Sequence, residues 1–425
     1  MAKVKSNVDS SRSPIAVPYL ILLVLALLGG AATVLGITFQ GKATAGGTGD
    51  SVPAIAEANA TSFSKTGPYG VGLAHLTLGE NGAPVTVWYP ANADEAHGIQ
   101  ASVNLATLLP PALITLYPAL KNVPQNTFGS LGLPLAKGQF PLVVFSHGFG
   151  GFSTQSAGLL AHLASWGFVV ASPEHLDRDL TAVLKAALSG SLNEGTLQSN
   201  DVNDLENTIT LLSSQGENPG SIFYRHLDLN RIGAVGHSAG GAAVEKLAVA
   251  DSRVKVFVGL AGASFGAFGE TASGAGSKVP DQAGMLLYGE KDGIVPASSM
   301  KNAYNAMKQP KRLIGIADAG HLVFADVCTV GPNHEGLIPI AAAAGLPIPA
   351  QLASLGSDGC AVGFAPIYSE QPLIKQAVTA ELRWQMGFDA NQNALDGLNQ
   401  AFGWQVLQNT TAPSVAGATV WKTGN

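Results

Sequence analysis

Charge is what this sequence has least of. Asp, Glu, Lys and Arg make up 12% of its 425 residues, against 46% apolar ones, where soluble domains carry about 25% charged residues. The net charge is −6 and no basic block occurs anywhere. Nothing can therefore track a phosphate backbone, and nucleic acid is excluded as a partner. Cysteine is equally scarce, with Cys328 and Cys360 alone. Two thiols without nearby paired histidines cannot complete a tetrahedral zinc shell, so no metal site is expected.

The longest charge-free stretch follows Lys3, Lys5 and Arg12 and runs from Ser13 to Gly41. Within it, residues 15–39 (IAVPYLILLVLALLGGAATVLGITF) are long enough to cross about 30 Å of hydrocarbon as a helix. The basic flank places residues 1–14 in the cytoplasm and the rest outside, which makes 15–39 a transmembrane anchor. A cleaved signal peptide is the competing reading, because Ala43-Thr44-Ala45 has the A-x-A form; its usual apolar core, about 7–15 residues, is shorter than this run. Either reading exports the remainder, membrane-anchored in one case and secreted in the other. In an oxidising compartment the even pair Cys328 and Cys360 reads as a disulfide, with two buried free thiols as the alternative.

Residues 40–62 are rich in Gly, Ala, Ser and Thr without apolar periodicity and read as a linker. From 63 to about 390 the texture is that of a folded domain. VGLAHLTL (71–78) and VTVWYP (85–90), joined across Glu80-Asn81-Gly82, form a predicted β-hairpin. Six continuous apolar runs follow: LVVFS (142–146), GFVVAS (167–172), RIGAVG (231–236), VKVFVGL (254–260), GMLLYG (284–289) and RLIGIA (312–317). Helical patterns separate most of them, such as 153–166, with Leu159, Leu160, Leu163 and Trp166 on one face, and 201–214, with Val202, Leu205, Ile209 and Leu212 spaced for burial. Buried strands alternating with helices predict a mostly parallel sheet covered on both faces. With the hairpin it has eight strands. Two segments break the alternation, a proline-punctuated insertion at about 91–139 and another at about 325–372. The second carries LIPIAAAAGLPIPAQLASLG (337–356), whose Pro339, Gly345, Pro347 and Pro349 argue against a straight membrane span; it reads as a lid or pocket wall held by the cysteine pair. A closing helix is expected at 374–387, and the tail at 391–425 gives no pattern.

GHSAG, residues 236–240, matches G-x-S-x-G. With 51 glycines in the chain, chance supplies such a pentapeptide about 0.4 times per sequence of this composition. Context decides: the motif sits between the strand RIGAVG and the helix-forming run AGGAAVEKLAVA, the strand–turn–helix setting of a nucleophile elbow. Ser238 is thus the candidate nucleophile, and it needs a base oriented by an acid. Doubly wound hydrolases supply them in the order serine, acid, histidine from loops after later strands. Asp292 follows GMLLYG and His321 follows RLIGIA, both at strand C-terminal ends, where such sites assemble. Glu290 is the rival acid, and Asp318 shapes the turn before His321. The oxyanion requires two donors. The Ala239 N–H is one, and Phe149 N–H in His147-Gly148-Phe149-Gly150-Gly151 is the other, with Gly148 as its rival. His147 and His237 flank the two halves and are read as loop-holding residues.

The ordered set SHGFGG, GHSAGG, GEKD and AGH resembles the α/β-hydrolase superfamily over roughly 63–390. The VWYP hairpin, FSHGFGG, ASPEHLDRD (171–179), LDLNRIGAVGHSAGG and GHLVFADVC (320–328) are similar to the branch of plasma-type platelet-activating-factor acetylhydrolases, chlorophyllases and bacterial polyester-cleaving cutinases. That resemblance implies an α/β-hydrolase fold and places Ser238 and His321 in catalytic positions. The acetylhydrolases carry their acid after the sixth strand, where this chain has Leu260-Ala261-Gly262-Ala263. The next loop must then supply it, as in the cutinase-like members, which favours Asp292. The expected protein is an exported serine esterase acting on small-molecule, lipid or polyester substrates through an acyl-enzyme, with no cofactor. The apolar insertions point to a hydrophobic acyl or polymer chain rather than a sugar ester. Resolution of the acyl-enzyme by an alcohol, giving an acyltransferase, is the alternative, and a silent binding module is the reading from another class.

Overall fold

The computed structural model describes residues 52–411 except 54, 56, 80–81, 93–97, 192–199, 264–278 and 332–334. The N-terminal apolar run 15–39 and the hairpin-turn residues Glu80 and Asn81 lie outside the described residues. Among the described residues, no helix is long and apolar enough to cross a membrane.

Among the described residues eleven strands occur, in chain order β1 (Gly70–Thr77), β2 (Pro84–Ala91), β3 (Ile99–Asn104), β4 (Pro124–Leu131), β5 (Phe140–Ser146), β6 (Val169–Pro173), β7 (Leu227–His237), β8 (Val254–Leu260), β9 (Ala283–Gly289), β10 (Lys311–Ile316) and β11 (Val406–Thr411). The helices are α1 (Pro111–Leu116), α2 (Ala157–Ser165), α3 (Leu180–Leu188), α4 (Asp201–Glu217), α5 (Ala239–Ala250), α6 (Ala297–Ala306), α7 (Leu337–Ala343), α8 (Ala350–Ser357), α9 (Ile367–Gln385) and α10 (Leu398–Phe402). All strands join one sheet in the order β11-β10-β9-β8-β7-β5-β6-β2-β1-β4-β3. From β6 across to β10 the pairs are parallel. The β1–β2 hairpin adds antiparallel to β6 with Gly70 opposite Ala91.

The expected eight strands are all present, and the count is corrected by three more. β3 and β4 lie within the 91–139 insertion and β11 within the tail. Their sequences hide the strand period. In β4 the inward positions are Gln125, Thr127 and Gly129 rather than large apolar residues, and hydrogen bonds make that burial tolerable. Gln125 Nε2 donates to Thr154 O at 3.1 Å and Thr127 Oγ1 to Ala101 O at 2.7 Å. β11 reads VLQNTT and pairs antiparallel with β10 at the sheet edge, so the sheet continues to Thr411.

Period-two alternation in the central strands feeds two cores, one on each face. Val143, Phe145, Val235 and Val258 pack with α2 and α9 on one side. Leu142, Val144, Ala234 and Leu286 pack with α4, α5 and α6 on the other. Leu205, Ile209 and Leu212 of α4 are buried, the i, i+4, i+7 stripe of an amphipathic helix. Gly167, at φ 97°, ends the α2 segment in a conformation that favours glycine. Part of the 40–62 segment packs against α9: Gln376 Oε1 accepts the Phe63 N–H at 2.6 Å, and Gln376 Nε2 donates to Asn59 O.

Strand order reverses at β5, because β6 lies on one side of it and β7 on the other. Loops leaving the C-terminal ends of β5 and β7 therefore open a crevice between them, the usual ligand position in such sheets.

Candidate active site

Ser238 occupies the junction of β7 and α5, is 2% exposed, and has φ 57° and ψ −122°. For a non-glycine residue this region costs about 1–3 kcal/mol and persists only where neighbours enforce it. Here the Ser238 N–H donates to Leu260 O at 2.8 Å, and the Ser238 carbonyl accepts the Gly241 N–H at 2.9 Å. Glycine is required around the turn for lack of space. A Cβ at Gly240 would overlap the Ser146 carbonyl, and one at Gly262 would overlap the carbonyl of Ser238 itself.

His321 begins a short 3-10 turn after β10. Its Nδ1 lies 2.9 Å from Asp292 Oδ2, and the two side chains are 1% and 0% exposed. A carboxylate only accepts, so Nδ1 carries the proton and Nε2 presents a lone pair. That Nε2 is buried and has no hydrogen-bond partner. The other Asp292 oxygen accepts the N–H groups of Ile294 and Val295 at 2.8 and 2.7 Å, which fixes the carboxylate. The rival Glu290 is exposed. Asp318, at φ 56°, pairs with Lys291 at 2.8 Å on the surface.

The β5 loop is held by its carbonyls. Arg178, fully buried, donates through Nη1 to His147 O at 2.5 Å and Gly148 O at 2.7 Å, through Nη2 to Ser146 Oγ at 3.0 Å, and through Nε to Asp201 at 2.7 Å. In a trans peptide the N–H points opposite the carbonyl, so turning Gly148 O toward Arg178 aims the Phe149 N–H the other way. The Gly148, Gly150 and Gly151 N–H groups already donate to Gln155 Oε1, Arg178 O and Gly148 O. That leaves Phe149 as the uncommitted donor in this loop. Ala239 is the first residue of α5, and its N–H has no acceptor within the helix.

His237 and His147 hold loops. His237 Nε2 donates to His321 O at 3.0 Å, and its Nδ1 accepts from Gln155 Nε2 at 2.9 Å. Burial, then the His321 imidazole 4.8 Å away, pushes its pKa well below the ordinary imidazole value. His147 Nε2 accepts the His175 N–H at 3.0 Å, and burial followed by the Arg178 charge likewise lowers its pKa far below the usual value. Neither can act as a base toward Ser238 while so engaged. Glu174 accepts the Ser153 N–H at 2.9 Å, and burial raises its pKa to about 7.

Among the described residues one group has metal-ligand types close together: His175, Asp201 and Asp204. Its donors are committed, because Asp201 takes the Arg178 guanidinium, and His175 bonds Asp204 at 2.8 Å and Ser146 at 2.9 Å. The arrangement is an ion-pair network with a cation already inside it.

Ser238 and His321 open into a cavity of about 410 Å³. The β3–β4 segment and α1 supply Leu105, Leu113 and Leu120, α3 supplies Leu184, and α7 and α8 supply Ile340 and Leu352. Among the described residues no Asp, Glu, Lys or Arg lines it, and the polar side chains that do are Gln155, His237, Ser238 and His321. Both insertions thus wall the cavity, and a Cys328–Cys360 disulfide closes the segment that contains α7 and α8.

The structure brings Ser238, Asp292, His321, Phe149 and Ala239 to one end of this cavity or directly behind it. Sequence reasoning missed Gln155, Arg178, Glu174 and Asp358. The first three join the β5 loop to its surroundings. The Asp358 carboxylate accepts the His321 N–H at 2.6 Å and the Gly293 N–H at 3.0 Å. A signal for Arg178 and Glu174 was present: EHLDRD puts five charged or ionisable residues together directly after a buried strand in a charge-poor chain.

A mostly parallel sheet, helices on both faces and an elbow serine over the switch point define an α/β-hydrolase fold. Known proteins agree. The family model for platelet-activating factor acetylhydrolase, isoform II, matches residues 59–215. A platelet-activating factor acetylhydrolase from Cavia porcellus is 27% identical over 251 residues, covering 47% of this chain and 56% of the relative; the chain thus spans little more than half the length of that curated relative. The solved structure of a ferulic acid esterase from Streptomyces cinnamoneus superposes with a TM-score of 0.51 at 24% identity, over 77% of this chain and 91% of that one, a likeness of fold. The chain is an α/β-hydrolase-fold protein of a branch with acetylhydrolase and esterase relatives.

Proposed function

We propose that this protein is a serine hydrolase that cleaves carboxylic esters through an acyl-enzyme on Ser238. The observation that carries the reading is the 2.9 Å bond from His321 to Asp292, with the unpartnered Nε2 of His321 in the cavity that Ser238 enters. His321 Nε2 takes the Ser238 proton as Oγ bonds to the ester carbonyl carbon, and the carbonyl electron pair moves to oxygen. The N–H groups of Phe149 and Ala239 hold that oxyanion. The pair returns, the bond to the alkoxy oxygen breaks, and His321 gives the proton to the departing alcohol. Water then gives a proton to His321 as its oxygen attacks the acyl carbon, and the acid leaves as Ser238 recovers its proton. Asp292 keeps Nδ1 protonated and balances the imidazolium. The resemblance to acetylhydrolases and an esterase supports this chemistry.

The test is hydrolysis of p-nitrophenyl esters and labelling by a fluorophosphonate, with Ser238→Ala as the blank. Labelled parent and inert blank are the expected pair. Equal hydrolysis by the two proteins removes the mechanism.

The Cys328–Cys360 disulfide supports an oxidising compartment outside the cytoplasm. The charge-free run 15–39 then tethers the enzyme to the membrane. Fractionation with determination of the mature N-terminus separates a retained anchor from a cleaved peptide; a soluble cytoplasmic chain would overturn both.

A further inference from the structure

The cavity has a chemical bias stronger than apolar walls alone. Among the described residues its lining contains no ionisable side chain besides His237 and His321, and burial holds the His237 pKa well below the ordinary imidazole value. An ionic group brought inside would lose its water without gaining a counter-charge. Hydrocarbon brought inside meets leucine and valine from the first insertion and leucine, isoleucine and proline from the second. We infer that the ester cleaved at Ser238 carries an uncharged hydrocarbon chain in this cavity, and that a phosphate or carboxylate is rejected there. This rests on the serine-hydrolase reading and adds the substrate class to it. A volume of about 410 Å³ lies within the usual range for a small organic ligand, so a medium chain fills it.

Two ester series measure this with the full chain. One lengthens the acyl group from acetate to laurate with p-nitrophenol as the common leaving group, and the other lengthens the alcohol with acetate as the common acid. In the series whose chain enters the cavity, kcat/KM rises about fourfold per methylene, equivalent to ~0.8 kcal/mol, until the cavity is full. A terminal carboxylate on the longest good substrate lowers kcat/KM by 100-fold or more, and a choline phospholipid is turned over no faster than acetate. Flat profiles in both series, or a carboxylate-tipped ester cleaved as fast as its neutral parent, overturn the inference. Ser238→Ala keeps the two readings apart: an inert blank with flat profiles removes the substrate class alone, and an active blank removes the serine mechanism.

A second inference rests on a different observation. Acid and base arrive on separate loops, after β9 and β10, and Asp358 binds both. One carboxylate oxygen accepts the backbone N–H of His321 at 2.6 Å, the other accepts that of Gly293, next to Asp292, at 3.0 Å, and the Asp358 carbonyl accepts the Leu322 N–H at 2.8 Å. Gly320 is confined by the same contact, because a Cβ there would lie 2.6 Å from Asp358 Oδ1. Asp358 in turn stands two residues before Cys360, which is bridged to Cys328 just beyond the His321 turn. The geometry points to Asp358 as a positioning residue that sets the His321–Asp292 distance, with the disulfide holding it in place. It touches no reacting atom and acts through the two loops.

Asp358→Asn keeps one acceptor of the right shape and turns an N–H₂ toward the other donor; Asp358→Ala removes both. The expected series is parent, then Asn with kcat lowered about tenfold, then Ala lowered about 100-fold, with KM for a short ester within twofold throughout. Circular dichroism and the thermal midpoint identify a variant that has lost its fold. If Ala has lost it, the Asn variant decides. Parent-like kcat in folded Asp358→Ala or Asp358→Asn overturns the role, and so does a fall confined to KM. Replacement of both cysteines by serine is expected to lower kcat and to shrink the further effect of Asp358→Ala; full additivity removes the coupling to the disulfide.

Discussion

The Ser146 hydroxyl lies 2.9 Å from Nε2 of His175, and both side chains are sealed from solvent. With Asp204 at 2.8 Å from His175 Nδ1, this is a serine–histidine–carboxylate series with the spacing of a hydrolytic triad and none of its access. Neither Ser146 nor His175 lines the cavity, and the Ser146 hydroxyl is also bonded to Arg178. A proton relay needs a substrate to act on, and this one faces only protein. The same three residue types, gathered at the end of the adjacent strand β7 around Ser238, line the cavity or stand behind it.

The two serines are therefore expected to separate cleanly. Ser238→Ala lowers ester hydrolysis by roughly 10⁴-fold or more and abolishes fluorophosphonate labelling. Ser146→Ala leaves labelling at Ser238 in place and costs about 1–3 kcal/mol of stability for the buried partners it orphans. Mass spectrometry of the labelled peptide, with denaturant titration, reads both. Label on Ser146 would transfer the chemistry to the buried set.

The acid is tested by charge rather than by size. Asp292→Asn keeps shape but favours the wrong His321 tautomer, and kcat is expected to fall about 10⁴-fold. Glu290→Gln, on the surface, stays within twofold. The reverse pattern would move the acid to Glu290 despite its exposure.

Glu174 makes stability depend on pH. Burial raises its pKa from 4.5 to about 7, so the native state binds its proton more tightly than the unfolded chain does. The resulting stability is complete below about pH 4.5 and is lost as pH rises through 7. Glu174→Gln removes that dependence. Between pH 5 and 8, unfolding free energies of parent and variant are expected to diverge in the variant's favour by on the order of 3 kcal/mol. Parallel curves in urea titrations at the two pH values would show that the side chain is solvated.

Gly262 tests the elbow from outside it. A methyl group there meets the Ser238 carbonyl backbone rather than a side chain that can swing away. Gly262→Ala is expected to cost about 1–3 kcal/mol and to slow fluorophosphonate labelling, because the displaced atom belongs to the nucleophile. An unchanged labelling rate in a folded variant would mean that β7 and β8 can separate without moving Ser238.

Reading the sequence went furthest where one physical signal dominated. Ser238, Asp292 and His321 could be proposed because each follows an apolar strand, and strand ends are where a parallel sheet exposes its loops. β4 was missed because its inward positions are Gln125, Thr127 and Gly129, and β11 because only Val406 of VLQNTT is a buried apolar residue. Burial there is sustained by hydrogen bonds that no hydropathy pattern records. Asp358 was invisible for another reason. Its partners are backbone N–H groups of Gly293 and His321, and a main-chain donor has no residue type to search for. The Phe149 preference over Gly148 acquired its physical basis from Gln155 and Arg178, which occupy the alternatives.

Ser238, Asp292 and His321 follow strands of the sheet, whereas more than half of the apolar side chains lining the chamber belong to residues 105–123 and 337–356. In the proposed reaction the chain entering the cavity would meet the insertions, while the reacting groups stand at strand ends. A graft that exchanges the first wall alone is expected to change what enters while leaving the Asp358 contacts to the His321 and Asp292 loops in place.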